Sequence, residues 1–288
     1  TVALPDRGAV RRGGDHAGRR FAVDGMASAR MSQTTEGSVG MMRKFGCMVG
    51  SAMALAIWAS PALSQSRALA KAETISATTL IEQFRRVVFF TESGAGSSGK
   101  PLFRWMTPVI ADINGGEAYR QNVQDLFRQL SRLTRLPFRI ADDGKKANME
   151  IFFLPTAEIR ARLKLPKVRC AGQLQGLKHL GVIHAAQVYI STDSRSAALH
   201  CIAEEITQVL GLTNDTSLIR NSIFNDTSKL NKLSLFDQIL VAALYSERLR
   251  PNMTEEQAMP VVRVLIRDLM AQARKQNRDR TKAKAKRK

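Results

Sequence analysis

One stretch of the chain carries acidic, amide and imidazole side chains at a spacing that could hold a metal ion and a water molecule. It runs from residue 200 to residue 215 and is predicted to begin as a helix, because its apolar residues recur with a helical period. The polar residues of this helix gather on the opposite face: His200, Glu204, Glu205 and Gln208, with Cys201 among them. Imidazoles and carboxylates one helical turn apart are ligands that zinc enzymes use, and a further carboxylate can act as general base on the metal-bound water. An ordinary amphipathic helix with a solvated polar face is the simpler interpretation of the same residues.

The layout of this face resembles the active-site motif of the metzincin zinc peptidases, H-E-x-x-H-x-x-G-x-x-H. In that motif two histidines bind zinc, the glutamate acts on the zinc-bound water, and the glycine turns the chain so that a third histidine reaches the metal. In this chain Glu205 stands at the position of the catalytic glutamate and Gly211 at the glycine. Gly211 also sits where a helix end favours a left-handed residue, which predicts a positive φ there. The three histidine positions are occupied by Glu204, Gln208 and Asn214, and Asp215 follows the last of them.

Two downstream segments resemble further metzincin elements in the same order. Ser222-Ile223-Phe224 resembles the Ser-Ile-Met of the Met-turn, with Phe224 in place of methionine. Ser234-x-x-Asp237, running on to Tyr245, resembles the terminal helix of the matrixins, and a serine followed three residues later by an acidic residue is typical of a helix start. The whole stretch also resembles a family of exported bacterial proteins known only as a domain of unknown function. These resemblances imply a zincin scaffold in which the metal-binding histidines have been replaced.

The replaced ligands change the chemistry that the resemblance implies. One carboxylate and two amide oxygens suit calcium or magnesium better than zinc. Without zinc, the water beside Glu205 keeps a pKa near ~15.7 instead of the ~7 reached on an enzyme-bound zinc. We therefore expect a non-catalytic protein without a cofactor, in which Glu204, Gln208 and Asn214 form a hydrogen-bonded network that maintains the cleft. The cleft would be structural or would bind a peptide or a glycan.

An active metallohydrolase with a relocated zinc site is the alternative. His200 lies one turn before Glu204, so the two side chains could share a zinc ion with His179 or His184. Glu205 would then be the general base. A lone helix histidine is more often an ordinary hydrogen-bonded residue.

The N-terminal part of the chain has the pattern of a secretory signal. Residues 1–40 are expected to be disordered or to precede the true start of translation, and residues 41–64 combine a basic start, an apolar run at residues 45–59 and a small-residue cleavage site. A retained signal anchor is the alternative. The product is expected to be exported, periplasmic or secreted. Cys47 would leave with the signal peptide, and the two cysteines that remain in an oxidising compartment predict a disulfide between Cys170 and Cys201. Cys201 as a nucleophile beside His200 is disfavoured, because adjacent helix positions point about 100° apart.

The charge of the chain is concentrated at its C-terminus. The 288 residues carry a formal charge of +19, and residues 274–288 hold nine basic side chains and one aspartate. This tail is predicted to be disordered and, outside the cytosol, to contact anionic lipid or an envelope polymer rather than nucleic acid. No other partner follows from the sequence.

The remaining patterns predict an α+β fold, with a zincin-like twisted mixed sheet, helices packed against it, and the motif helix at its centre. The zincin-like domain is expected to span residues 65–250, followed by a helix at residues 251–273 that is kinked or starts late at Pro260. Helices are predicted at residues 77–90, 117–133 and 157–163, and strands at residues 102–113, 138–140, 149–154 and 181–192.

Overall fold

The structure is a computed structural model, and it describes residues 75–90, 99–141, 146–225 and 227–286. The predicted upstream segment and signal peptide lie outside these residues. Within them, no helix is both long enough and apolar enough to cross a bilayer.

The described residues form six α-helices, one short 3₁₀ helix at Glu117–Tyr119, and six strands. The helices are α1 (Ala77–Phe89), α2 (Arg120–Thr134), α3 (Thr156–Leu163), α4 (Arg195–Gln208), α5 (Leu235–Leu244) and α6 (Glu255–Ala285). The strands are β1 (Arg104–Trp105), β2 (Val109–Asn114), β3 (Phe138–Ile140), β4 (Met149–Leu154), β5 (Ala171–Leu177) and β6 (Val182–Ser191). The predicted α+β class is confirmed.

The strands make one sheet in which only β5 runs antiparallel to its neighbour. The order is β1-β6-β4-β2-β3, with parallel pairing throughout, and β5 pairs antiparallel with β6. The segment of β6 from Ala186 to Tyr189 pairs with β4 and with β5, so these two strands lie on opposite edges of β6. Strand β5 is therefore an outer strand, and no other described strand pairs with it.

Two strand predictions needed correction. The single strand expected at residues 102–113 is divided into β1 and β2, which pair with different strands, and Pro108 lies between them. Strand β5 was not predicted, because its seven residues include two glycines and two glutamines and only three apolar residues, a composition with weak strand propensity. Its pairing with β6 stabilises the strand despite its weak strand propensity.

The C-terminal helix is longer than predicted. It begins at Glu255 behind a capping box formed by Thr254 and Gln257 and contains Pro260, so of the two alternatives at that proline the late start is wrong. It also continues to Ala285, whereas residues from 274 onward were predicted to be disordered. The extension consists of lysine, arginine, alanine and polar residues without glycine or proline, and most of these favour a helix.

Helix α4 is held in place by the sheet and by helix α2. It packs on β6 and β5, and α2 packs against both α4 and α5. Ile202, Ile206 and Leu210 of the predicted apolar face are all buried. This packing fixes which face of α4 is available to a ligand.

Candidate binding cleft

The end of α4 is fixed by two aromatic side chains. The indole Nε1 of Trp105 donates to the carbonyl of Val209 at 2.9 Å, and the hydroxyl of Tyr245 donates to the carbonyl of Leu210 at 3.0 Å. The same hydroxyl accepts from the backbone N–H of Trp105 at 3.1 Å. These bonds satisfy carbonyls that a helix end leaves without intrahelical partners. They also explain why Tyr245, part of the resembled motif frame, is buried.

Gly211 allows the chain to turn away directly after this end. Its φ is +113°, and a Cβ atom at this position would lie 2.1 Å from the carbonyl oxygen of Phe103. The prediction that Gly211 adopts a positive φ is confirmed. Helix α4 already ends at Gln208, so the glycine serves the turn that follows and is not the residue immediately after the helix cap.

Strand β5 crosses close above α4. A Cβ atom on Gly172 would lie 2.7 Å from Val209 Cγ1 and 3.4 Å from Glu205 Oε2. Beside this crossing, β5 and α4 border a cleft of about 800 Å³. Its lining includes the apolar residues Leu165, Val168 and Leu174 and the polar residues Lys100, Glu204, Glu205, Gln208, Thr213 and Asp215.

The three positions that the resemblance equates with zinc ligands do not converge. Gln208 donates through Nε2 to Asp215 Oδ1 at 2.6 Å. Asn214 donates to the carbonyl of Arg86 in α1 at 3.3 Å, so it belongs to the contact with α1. The expected network of Glu204, Gln208 and Asn214 is therefore wrong, because the loop after Gly211 carries Asn214 to α1 and brings Asp215 to the helix.

Glu204 pairs with the residue one turn before it. His200 Nε2 lies 3.2 Å from Glu204 Oε2, and His200 Nδ1 lies 2.6 Å from the carbonyl oxygen of Leu230. Both ring nitrogens thus face acceptors and can donate together only in the protonated ring. The hydrogen bond to Glu204, together with that to Leu230, raises the pKa of His200 despite the opposing effect of burial.

A catalytic zinc needs three protein ligands, and the described residues do not bring three together. No group of three or more histidine, cysteine, aspartate or glutamate side chains suitable for a metal occurs in the part of the chain that the structure describes. His184 is exposed on β6, and His179 lies in the turn before that strand. The residues present therefore do not fit the zinc site of the metzincin motif or the relocated site with His179 or His184.

Glu205, the predicted general base, is buried with 7% of its surface exposed and borders the cleft beneath Gly172. Lys100 stands in the same cleft, where its Nζ donates to Thr213 Oγ1 at 2.5 Å. Burial lowers the pKa of Lys100 to about 8. The cleft thus combines three carboxylates, an amine and an apolar wall.

The segment that resembles the Met-turn is tied to α5 by a buried carboxylate. Asp237 accepts from Ser222 Oγ at 2.6 Å and from the N–H of Ile223 at 3.2 Å, and it also accepts from the N–H of Ser234 at 2.8 Å. The helix start predicted for Ser234 and Asp237 is confirmed as a capping box. Phe224 is fully buried, and its carbonyl accepts from the N–H of Thr216. The turn is thereby linked to the loop that carries Asp215.

A family model with the description "Protein of unknown function (DUF2927)" matches residues 77–264 of the chain. The chain belongs to the DUF2927 family. The matched range runs from α1 into α6 and contains all six strands, so both sides of the cleft belong to the region that defines the family. No curated protein matches the chain.

This DUF2927 chain contains the predicted disulfide. Cys170 and Cys201 are joined, and they connect the residue before β5 to α4 one turn ahead of Glu205. Cys201 is therefore engaged in a disulfide bond and is not available as the nucleophile considered above. The bond also fixes one end of β5 at the rim of the cleft, because Cys170 belongs to the lining.

Gly172, Leu174 and Lys100 are among the cleft residues of this family member that the sequence did not predict. Gly172 and Leu174 belong to β5, which was not predicted, and Lys100 lies 113 positions from the threonine that it contacts. A glycine in a strand is a signal for close backbone approach, and it applies to Gly172 once β5 is known. Lys100 ends a G-x-x-x-x-G-K match to the phosphate-binding loop, but Pro101 occupies the Ser/Thr position of that motif, and the match does not predict the contact with Thr213.

Proposed function

We propose that this chain is an exported, non-catalytic relative of the zincin peptidases that binds an extended peptide in the cleft between β5 and α4. The observation that carries the proposal is the position of β5, an outer strand without a further strand partner among the described residues, directly beside the cleft. An extended peptide can add to such an edge through main-chain hydrogen bonds, while pockets beside it select side chains. The protein would act in the periplasm or outside the cell.

The apolar wall of the cleft supports a peptide with at least one large apolar side chain. Leu165 is 48% exposed although it is a large aliphatic residue, and it lies in the lining with Val168 and Leu174. An apolar side chain of a ligand would remove these surfaces from water, at about 25 cal/mol per Å².

The polar side of the cleft supports binding without catalysis. Glu204 is engaged with His200, and Gln208 with Asp215, in bonds of 3.2 Å and 2.6 Å. A metal ion at the equivalent of the zinc position would have to break these pairs. Glu205 would then remain as a carboxylate without a metal-activated water, which leaves it unable to act as the base of a metallopeptidase.

The order of elements supports the zincin part of the proposal. The chain runs through strand β2, helix α2, strands β3 and β4, the outer strand β5, strand β6 and the motif helix α4. Apart from β1, the short helix α3 between β4 and β5, and the strand β6 after the outer strand, this order resembles the order strand, helix, strands, edge strand, motif helix in which metzincins are built. The motif frame at Glu205 and Gly211 and the turn at residues 222–224 follow in the order of the resemblance.

Two features support export. The apolar run at residues 45–59 directly follows Arg43 and Lys44, which is the pattern of a secretory signal. The disulfide between Cys170 and Cys201 would persist in an oxidising compartment. A direct check is the N-terminal sequence of the protein recovered from the producing cell, which should begin near Gln65.

Peptide binding is tested with two leucines of equal exposure. Peptides are selected from a library of random 12-residue peptides on the purified chain, and their affinities are measured for Leu165→Glu and Leu180→Glu. Leu165 lines the cleft, whereas Leu180, 47% exposed, does not belong to the lining. Leu165→Glu should weaken binding tenfold or more and Leu180→Glu less than twofold. An equal effect of the two substitutions, or a library without binders, would contradict the proposal.

A metallohydrolase is the second candidate, because one observation favours it. His200 Nδ1 faces a backbone carbonyl and its Nε2 faces a carboxylate, and metal-binding histidines commonly use such a carbonyl to orient the ring. Zinc would have to recruit a third ligand that the described arrangement does not supply. Metal content after equilibration with zinc or calcium and desalting decides between the candidates: one zinc per chain that is lost in His200→Ala would favour the hydrolase.

A further inference from the structure

Helix α6 continues beyond the body of the protein as a single helix. Its last buried residue is Met270, and the helix then runs to Ala285, a length of about 22 Å. Every described side chain after Met270 is exposed except that of Ala273, which is partly buried. The only apolar residues in this extension are alanines, so it offers no apolar face to a partner helix or to a bilayer interior.

The basic side chains of α6 are concentrated on one side. At about 100° per residue, six of its eight lysines and arginines fall within an arc of about 120°. These six residues, called here the basic stripe, are Arg263, Arg267, Arg274, Lys275, Arg278 and Lys282, and all six are exposed. The remaining two, Arg280 and Lys284, point to the opposite side of the helix.

The basic stripe lies opposite the face by which α6 joins the body. The buried residues Val262, Leu265, Ile266 and Met270 centre about 150° away from the stripe. The stripe therefore begins on the outer surface of the body and continues along the projecting helix, over about 28 Å from Arg263 to Lys282. Glu256 is the acidic residue within the arc of the stripe, and it lies in the first turn, before the stripe begins. Asp268 and Asp279 border the arc, about 20° and 40° beyond Lys275.

We propose that the basic stripe docks the protein on the surface of a membrane containing anionic lipid, with α6 lying along the headgroups. Lysine and arginine clusters next to a membrane are attracted to anionic headgroups without apolar insertion. A flat surface can contact the whole stripe at once, because the stripe is one-sided and runs from the body to the end of the helix. A nucleic acid groove would enclose the helix on several sides. Next to Arg263 and Arg267 the helix packs against the body of the protein, which would block such a groove.

The test is cosedimentation of the full chain with vesicles of 30% phosphatidylglycerol in phosphatidylcholine, compared with vesicles of phosphatidylcholine alone. The neutral vesicles report any binding by the apolar run at residues 45–59. The stripe variant removes four charges through Arg267→Gln, Arg274→Gln, Arg278→Gln and Lys282→Gln. The matched control removes four exposed charges elsewhere through Lys229→Gln, Lys232→Gln, Arg280→Gln and Lys284→Gln. Circular dichroism verifies that both variants keep the helix content of the parent.

The stripe variant should lose affinity for the anionic vesicles by roughly 100-fold or more. The control should lose less than tenfold, because the far side of a helix of about 10–12 Å diameter lies one Debye length from the surface at 0.1 M salt. Binding of the parent should disappear at 0.5 M salt. Equal binding to neutral vesicles, or equal losses in both variants, would overturn the proposal. Tighter binding to a DNA duplex at the same phosphate concentration would overturn it in favour of nucleic acid.

Discussion

Replacing Gln83 by methionine should make the protein more stable. Gln83 lies in α1 with 0% of its surface exposed, and neither its Nε2 nor its Oε1 has a hydrogen-bond partner among the described residues. A buried polar group without a partner costs about 1–3 kcal/mol in desolvation. Methionine has nearly the same shape and carries no such group, so Gln83→Met should raise the free energy of unfolding by about 1–3 kcal/mol. The melting temperature should rise by about 2–4 °C for each kcal/mol.

The assay is urea denaturation followed by circular dichroism, with the slope of the transition compared as well as its midpoint. A matched control is Gln272→Met, because Gln272 is exposed on α6 and its replacement should change stability by less than about 0.5 kcal/mol. A Gln83→Met variant that is equally stable or less stable would refute the reasoning. It would mean that the amide of Gln83 is hydrogen-bonded in solution.

The other predictions concern the cleft. Gly211→Ala should lower the free energy of unfolding by about 3 kcal/mol or more, because its Cβ would meet the carbonyl of Phe103 at 2.1 Å, and chemical denaturation measures this. The folded state raises the pKa of His200 above 6.5. Protonated His200 therefore stabilises the fold below pH 6.5, and this stabilisation is lost as the pH rises through the folded pKa. Denaturation midpoints across this range should therefore fall with pH in the parent and stay flatter in Glu204→Gln. Reduction of the disulfide, whose cysteines are 31 residues apart, should cost about 3–4 kcal/mol in the chain-entropy model. Hydrogen exchange should then accelerate first in β5, and unchanged exchange there would contradict its role at the rim of the cleft.

The sequence predicted what depends on neighbouring residues. Helix α4 follows from the spacing of its apolar residues, and the helix start at Ser234 follows from capping residues three positions apart. The positive φ of Gly211 was predicted because a glycine at the end of a helix commonly adopts a left-handed backbone conformation. The disulfide was predicted because only two cysteines remain once the predicted signal segment is removed. In each case the physical cause lies within a few residues or within a simple count.

Composition misled where it was considered without its surroundings. The run of basic residues after position 273 is typical of a disordered tail, yet these residues continue a helix already nucleated by the packing of Val262 and Ile266. Extending an existing helix costs much less than starting one. Strand β5 was missed because its residues have weak strand propensity. In the folded chain, pairing with β6 overcomes this weakness.

The cleft itself was decided by the tertiary structure. The sequence places Glu204, Glu205 and Gln208 on one face of a helix, but it does not say which partners meet them. The fold brings Asp215 to Gln208 and sends Asn214 to α1, although the two residues are neighbours in the chain. It also places Lys100 and β5 beside the helix from distant parts of the sequence. Hydrogen bonds and burial act over a few ångströms, and only the folded chain determines which side chains come within that distance.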